Sequence, residues 1–285
     1  MPSRVICFLI VVSWLGFNGW LFFHDLLPRL MPGQPPPYTI DLVEETRTRR
    51  PHIDWVVTYR DRRAFRTRTH VDHPEHDVFE LQAEFKPYDA ATPPIQGIQI
   101  ERLNSSYRVN TSGDLLGLSV VIVGRPNLGD LLRNLTQEFT VGIEGVVERN
   151  AMTPHLRLEM GPRTIERDLP TVQIPAGASV LLPLHPVNRI TGLAPGQQWT
   201  LRLFDPLLAS LSLLQGNETE LRTVRASVRR EPELFTWGKR REVPCHVIDY
   251  VGDDFRGSTW VGTERGQVLR QDVLFDNQPL IMYRD

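Results

Sequence analysis

Hydrophobic and polar residues alternate with period two along much of this chain. Ile53, Trp55, Val57 and Tyr59 fall on one face, and Phe79, Leu81, Ala83 and Phe85 on another, opposed by Glu80, Gln82, Glu84 and Lys86. The same alternation recurs in Leu156, Leu158 and Met160, in Trp199, Leu201 and Leu203, and in Val224, Ala226 and Val228. Successive strand side chains point to opposite faces, so each stretch predicts a strand with one dry and one wet side, as antiparallel sheets provide. In PNLGDLLRNLTQ (residues 126–137), Leu128, Leu131, Leu132 and Leu135 instead follow helical spacing and predict about two turns of amphipathic helix. Asp41 to Arg50 reads as a second short helix that Pro51 stops. The expected fold class is mostly β: antiparallel curved sheets, half-barrel-like or in two β lobes, with one or two short covering helices. A seam is expected near 150 (Asn150 to Pro154) or near 210 (Leu207 to Asn217).

The N-terminus has a different pattern. From Val5 to Phe23 the chain reads VICFLIVVSWLGFNGWLFF, with Ser13 and Asn18 its only polar residues. A helix crossing a hydrocarbon core needs about 20 such residues. Trp20 suits an interfacial position. A cleaved signal peptide would end in a small-residue site, and the exit FFHDLLPRLMP has none. Residues 1–27 are therefore expected to form an uncleaved transmembrane anchor, with membrane contact through residues 5–23. Arg4 and the amino terminus precede the run, which favours a cytoplasmic N-terminus and an extracytoplasmic body over 41–285. That places the chain in the cell inner membrane as a single-pass protein. Residues 28–40, with PRLMPGQPPP at 28–37, read as a stiff proline-rich spacer.

Composition changes little in this picture. The formal net charge of -2 gives no reason to expect a nucleic-acid partner. Positive charge is almost all arginine, and eight arginines fall between Arg47 and Arg68. They suit the wet face of a strand, or anionic headgroups near the membrane spacer. Cys7 lies in the apolar run and Cys245 in the body, so no disulfide framework is expected. Sequons at Asn104, Asn110, Asn134 and Asn217 matter only in a host that glycosylates.

Candidate chemistry is sparse. In HVDHPEHD (residues 70–77), His70, His73 and His76 alternate with carboxylates, a mixture suited to zinc or a similar ion. Pro74 prevents one continuous helix from aligning the three rings, and the alternative is a solvated turn between two strands. Cys245 and His246 are adjacent; on a strand they face opposite ways and cannot form a dyad. His155, His185 and Asp249 would be partners only if the fold brought them close. No cofactor is implied.

Two later stretches carry a family resemblance. GLAPGQQWTLRLFDPL (192–207) reads as turn, strand and stop. STWVGTERGQVLRQDV (258–273) reads as a hairpin closed by TERG, with Gly266 at the end of the turn. YRVNTSGDLLGLSVVI (107–122) reads as strand, turn and return strand. Together they resemble the membrane-anchored extracytoplasmic β domains that accompany bacterial transglutaminase-like proteins, and distantly the half-barrels of periplasmic lipoprotein carriers. The resemblance implies a compartment and a fold and carries over no catalytic residue. It also implies an apolar concave face of Leu116, Leu118, Val120, Ile122 and Trp199 beneath Leu128, Leu131 and Leu135, serving either as core or as a site for an acyl chain. The function expected first is a non-catalytic accessory or scaffold module of a bacterial cell-envelope system, with envelope protein partners. A lipid or lipoprotein carrier is the alternative, and a metal-dependent enzyme built on His70, His73 and His76 a third.

Overall fold

A computed structural model of the chain describes residues 52–89, 98–126 and 138–285, apart from 112, 176–178, 181–185, 187, 215–221, 239–240, 254 and 276–277, together with 13, 14, 18 and 20. Most of the apolar run, the spacer, the helix expected over 41–50 and the stretch carrying Leu128, Leu131 and Leu135 lie outside the described residues. Residues 13, 14, 18 and 20 are helical, and Asn18 Nδ2 donates to Trp14 O at 2.8 Å. Among the described residues no helix is long and apolar enough to cross a membrane.

The body is mostly β. An antiparallel meander of long strands begins it: β1 (Ile53–Tyr59), β2 (Arg62–Glu75), β3 (Val78–Pro87), β4 (Ile98–Asn110) and β5 (Leu115–Pro126). Next comes β6 (Phe139–Glu148), paired with β5. β7 (Ala151–Met152) folds back on the end of β6, and β8 (His155–Met160) pairs with the rest of it. β9 (Arg163–Asp168) then forms one edge of the sheet, with all six residues exposed. β10 (Val172–Gln173) pairs with β7.

The second arm starts at β11 (Ser179–Val180), which runs parallel to β12 (Gln198–Phe204). β13 (Arg222–Val228) follows, and β14 (Glu233–Trp237) and β13 both pair with β15 (Arg241–Val251), each along a different half. β16 (Arg256–Gly262), β17 (Val268–Phe275) and β18 (Gln278–Arg284) complete the arm, and β18 hydrogen-bonds to β1. The two arms therefore form one large sheet, joined at β18–β1 and not closed into a barrel.

Alternation explains how this sheet builds its interior. Trp55, Val57 and Tyr59 of β1 pack in one cluster with Phe85 of β3, Trp199 and Leu201 of β12, Val224 and Ala226 of β13, and Ile248 of β15. Residues of both arms meet there, so the sheet rolls over its own concave face. A strand of 10–14 residues is about 33–46 Å long at ~3.3 Å per residue. The long strands β2–β5 thus extend past the first cluster into a second. The second cluster gathers Val71, Phe79, Leu81, Tyr107, Leu118, Val120, Met152 and Val172.

Bulges assist the roll, because an extra residue sharpens local twist. Pairing of β1 with β2 shifts between Val57 and Thr58 and leaves Ala64 unopposed. Pairing of β4 with β5 shifts at Arg108/Val109 and leaves Leu116 unopposed.

One helix of the body is described, α1 (Pro206–Leu214). Asp205 and Pro206, read from sequence as the stop of β12, also start it: proline suits the first helical position, and Ala209 N donates to Asp205 O at 2.9 Å. Ala209 and Phe204 pack into the second cluster, and Ser210 Oγ donates to Pro170 O at 3.4 Å.

Candidate functional site

At the rim of the rolled sheet lies a cleft of about 590 Å³. Its walls come from four places: the start of β1, the middle of β2, the β15–β16 pair, and a segment, residues 188–193, that lies against the turn between β16 and β17.

The sequence fixes this segment by backbone and side chain together. Val268 N donates to Asn188 O at 3.0 Å, and Ile190 N donates to Gly266 O at 2.8 Å. Arg189 and Gln267 lie opposite each other as an isolated antiparallel bridge. The Asn188 side chain is 6% exposed, and its Oδ1 accepts the Thr69 hydroxyl at 3.0 Å. Thr69 Oγ1 in turn accepts the Trp55 indole N–H at 3.1 Å. Arg284 Nη1 donates to the Asn188 carbonyl at 3.4 Å, and the Arg284 carbonyl accepts the Trp237 indole N–H at 3.1 Å. A buried polar group without a partner costs about 1–3 kcal/mol, so these bonds hold the segment in place as a strap.

Three histidines line the cleft: His52, His70 and His246. His70 Nε2 meets Asp72 Oδ1 at 2.8 Å, and His52 Nε2 lies 3.5 Å from Asp54 Oδ2. The Nδ1 atoms of His70 and His246 are buried and meet no hydrogen-bond partner among the described residues. Burial pushes the His246 pKa down, which keeps that ring neutral near pH 7. Arg189, Arg265 and Arg284 line the same space with one carboxylate, Glu264. The lining is cationic and suits a ligand that accepts hydrogen bonds.

The histidines of residues 70–77 are not brought together. His70 lines the cleft and His73 stacks on Phe79, with ring centroids 4.7 Å apart. The His76 side chain is 95% exposed, beside Asp77 at the hairpin end. Strand β2 continues through Glu75 rather than stopping at Thr69, so the turn there is shorter than the sequence pattern predicts. Among the described residues no group of three or more His, Cys, Asp or Glu side chains is arranged to hold a metal ion.

Cys245 and His246 do face opposite ways. Cys245 is fully buried and its thiol donates to Val243 O at 3.4 Å, while His246 lines the cleft. Burial pushes the Cys245 pKa up to about 11. His155 pairs with Asp168 at 2.8 Å on the exposed β8–β9 hairpin, and Asp249 pairs with Arg229. His185 lies outside the described residues.

The apolar residues are divided between the two clusters. Leu118 and Val120 are 5% and 2% exposed in the second. Trp199 sits in the first, and Ile122 packs against both. Leu116 belongs to neither, since the bulge gives its place to Leu115. Phe204 and Ala209 belong to the same cluster as Leu118 and Val120.

Sequence reasoning missed Asn188 and the strap. Gly266 was legible as a turn residue, and His246 only as the neighbour of Cys245. Comparison of the chain with family models, with curated proteins and with solved structures finds no match.

Proposed function

We propose that this chain is a membrane-anchored extracytoplasmic module of a bacterial cell-envelope system, one that binds a partner without catalysing a reaction. The observation that carries this reading is the clamp on the strap. The polar groups best placed at the cleft, Thr69, Asn188 and Arg284, already hold one another and the backbone. They make the cleft a rigid receptor wall rather than a set of groups free to move protons. Cys245, the strongest potential nucleophile of the body, is fully buried with its thiol held protonated, which supports the same view. The apolar run Val5–Phe23 and the resemblance to envelope-associated β domains support the compartment.

A photo-crosslinking residue in place of Glu264, which is exposed and lines the cleft, tests the proposal in the membrane-embedded full chain. A discrete adduct with one envelope protein, lost when the crosslinker is moved to Ile165 on the distant edge strand, is the expected result. Multiple-turnover hydrolysis or group transfer by the purified chain would overturn it.

A further inference from the structure

The first hairpin of the body carries a dense set of exposed arginines. Arg60, Arg62, Arg63 and Arg66 are all exposed, and among the described residues none of them meets a carboxylate within ion-pair distance. Arg63 and Arg66 lie on the outer face, opposite Thr58 and Val56, while Arg60 and Arg62 flank Asp61 at the hairpin tip. Neighbours on that outer face are neutralised in the ordinary way: Arg68 by Asp54 at 3.0 Å and Lys86 by Glu84 at 2.8 Å. What sets these four apart is their density, four exposed arginines within residues 60–66 of a chain of net charge -2.

Aromatic rings hold three of them in place. The Arg63 guanidinium carbon lies 5.1 Å and that of Arg66 4.7 Å from the centre of the same Tyr88 ring. Arg63 Nη1 also donates to the Tyr88 hydroxyl at 2.6 Å. At the hairpin tip, Arg60 lies 5.2 Å from the centre of the Tyr59 ring. Two like charges sharing one ring repel, and the repulsion is relieved when an anion sits between them. Guanidinium forks on ring faces also lose less side-chain freedom on binding phosphate than free arginines would.

We propose that the tip of the β1–β2 hairpin, with Arg60 and Arg62, and the adjoining outer face, with Arg63, Arg66 and Tyr88, dock onto the phosphate headgroups of the membrane that carries the anchor. The inference rests on the anchored reading. Residues 24–52 alone separate the apolar run from β1, so the hairpin is tethered close to a headgroup surface and meets it at high effective concentration. Anionic headgroups attract each nearby arginine by an amount corresponding to about fivefold in population.

Labelling by phenylglyoxal, which modifies accessible guanidiniums, tests this with the full chain in nanodiscs of phosphatidylcholine alone or mixed with phosphatidylglycerol. Labelling of Arg60, Arg62, Arg63 and Arg66 is expected to fall about fivefold or more in the anionic discs and to recover at high salt. Arg163 and Arg167 on the far edge strand should be unaffected. The double variant R63Q/R66Q, altered only at exposed positions, should remove the lipid dependence at Arg60 and Arg62. Labelling independent of lipid charge overturns the proposal. So does protection by inorganic phosphate or a short oligonucleotide in neutral discs without any by anionic lipid, which would assign the face to a soluble anion. Retention in neutral discs reports on the anchor separately: a chain that fails to stay with them contradicts the anchor, whereas a retained chain without lipid-dependent labelling contradicts only the headgroup face.

Discussion

The hydroxyl of Thr69 donates to the side-chain oxygen of Asn188 at 3.0 Å, joining two residues 119 positions apart. This bond ties the strap to the middle of β2. Because Thr69 also accepts the Trp55 indole N–H, one hydroxyl connects the strap to the core. Replacing Asn188 by Ala removes the acceptor and is expected to destabilise the body by about 1–3 kcal/mol. Thr69→Val should cost as much or more, since it also leaves the buried Trp55 N–H without its acceptor. Urea unfolding followed by tryptophan fluorescence measures both.

Gly266 holds the other end of the strap. Its φ is +64°, and a Cβ there would lie 2.5 Å from the Ile190 carbonyl oxygen. Gly266→Ala combines an unfavourable backbone conformation with a collision against backbone that cannot move aside. Hydrogen exchange at the Ile190 and Val268 amides, both bonded across this junction, should accelerate well beyond that in β3 and β4.

An ion pair on the outer face sets an acid limb of stability. Arg229 binds Asp249 through Nε at 2.7 Å and Nη2 at 2.8 Å, and Ser258 donates to the same carboxylate at 2.8 Å. The Arg229 guanidinium, with Ser258 assisting, holds the Asp249 carboxyl below the usual carboxylate range. A folded-state pKa lowered in this way contributes stability above the unfolded value of about 4, lost as pH falls through the folded value. Asp249→Asn should therefore lower stability at neutral pH and flatten the curve below pH ~4. Both side chains are about a third exposed, so the neutral-pH loss should be near ~1 kcal/mol. Denaturant unfolding at a series of pH values shows the effect.

The second cluster separates a filled core from a carrier cavity. Leu118→Ala removes a side chain buried in this cluster and should cost about 2–5 kcal/mol. In the unmodified chain, a fluorescent fatty acid should show no saturable binding at this cluster. Saturable binding that Leu118→Trp abolishes would establish an acyl-chain site instead.

Much of the fold was legible in the residues because alternation is a direct consequence of strand geometry. Trp55, Val57 and Tyr59, Phe79 through Phe85, and Val224 through Val228 each put their apolar members into the interior as the pattern predicts. α1 escaped because PLLASLSLL is apolar nearly all round and has no helical stripe to detect. The exchange of Leu116 for Leu115 depends on a bulge, and a register shift leaves no local trace in a uniformly apolar run. The cleft was illegible for a different reason: Asn188, His246 and Arg284 meet through pairings of distant strands and segments, Thr69 joins them only where the two arms meet, and no short-range spacing relates them.

The central claim, a body held outside the cytoplasm, is tested most directly by a surface thiol. Leu234 is 69% exposed, whereas Cys245 is fully buried and will not compete for reagent. In the variant Leu234→Cys with Cys7→Ser, expressed at full length, a membrane-impermeant maleimide should label the protein in intact spheroplasts as completely as after permeabilisation. Labelling that appears only after permeabilisation would place the body in the cytoplasm and contradict the account.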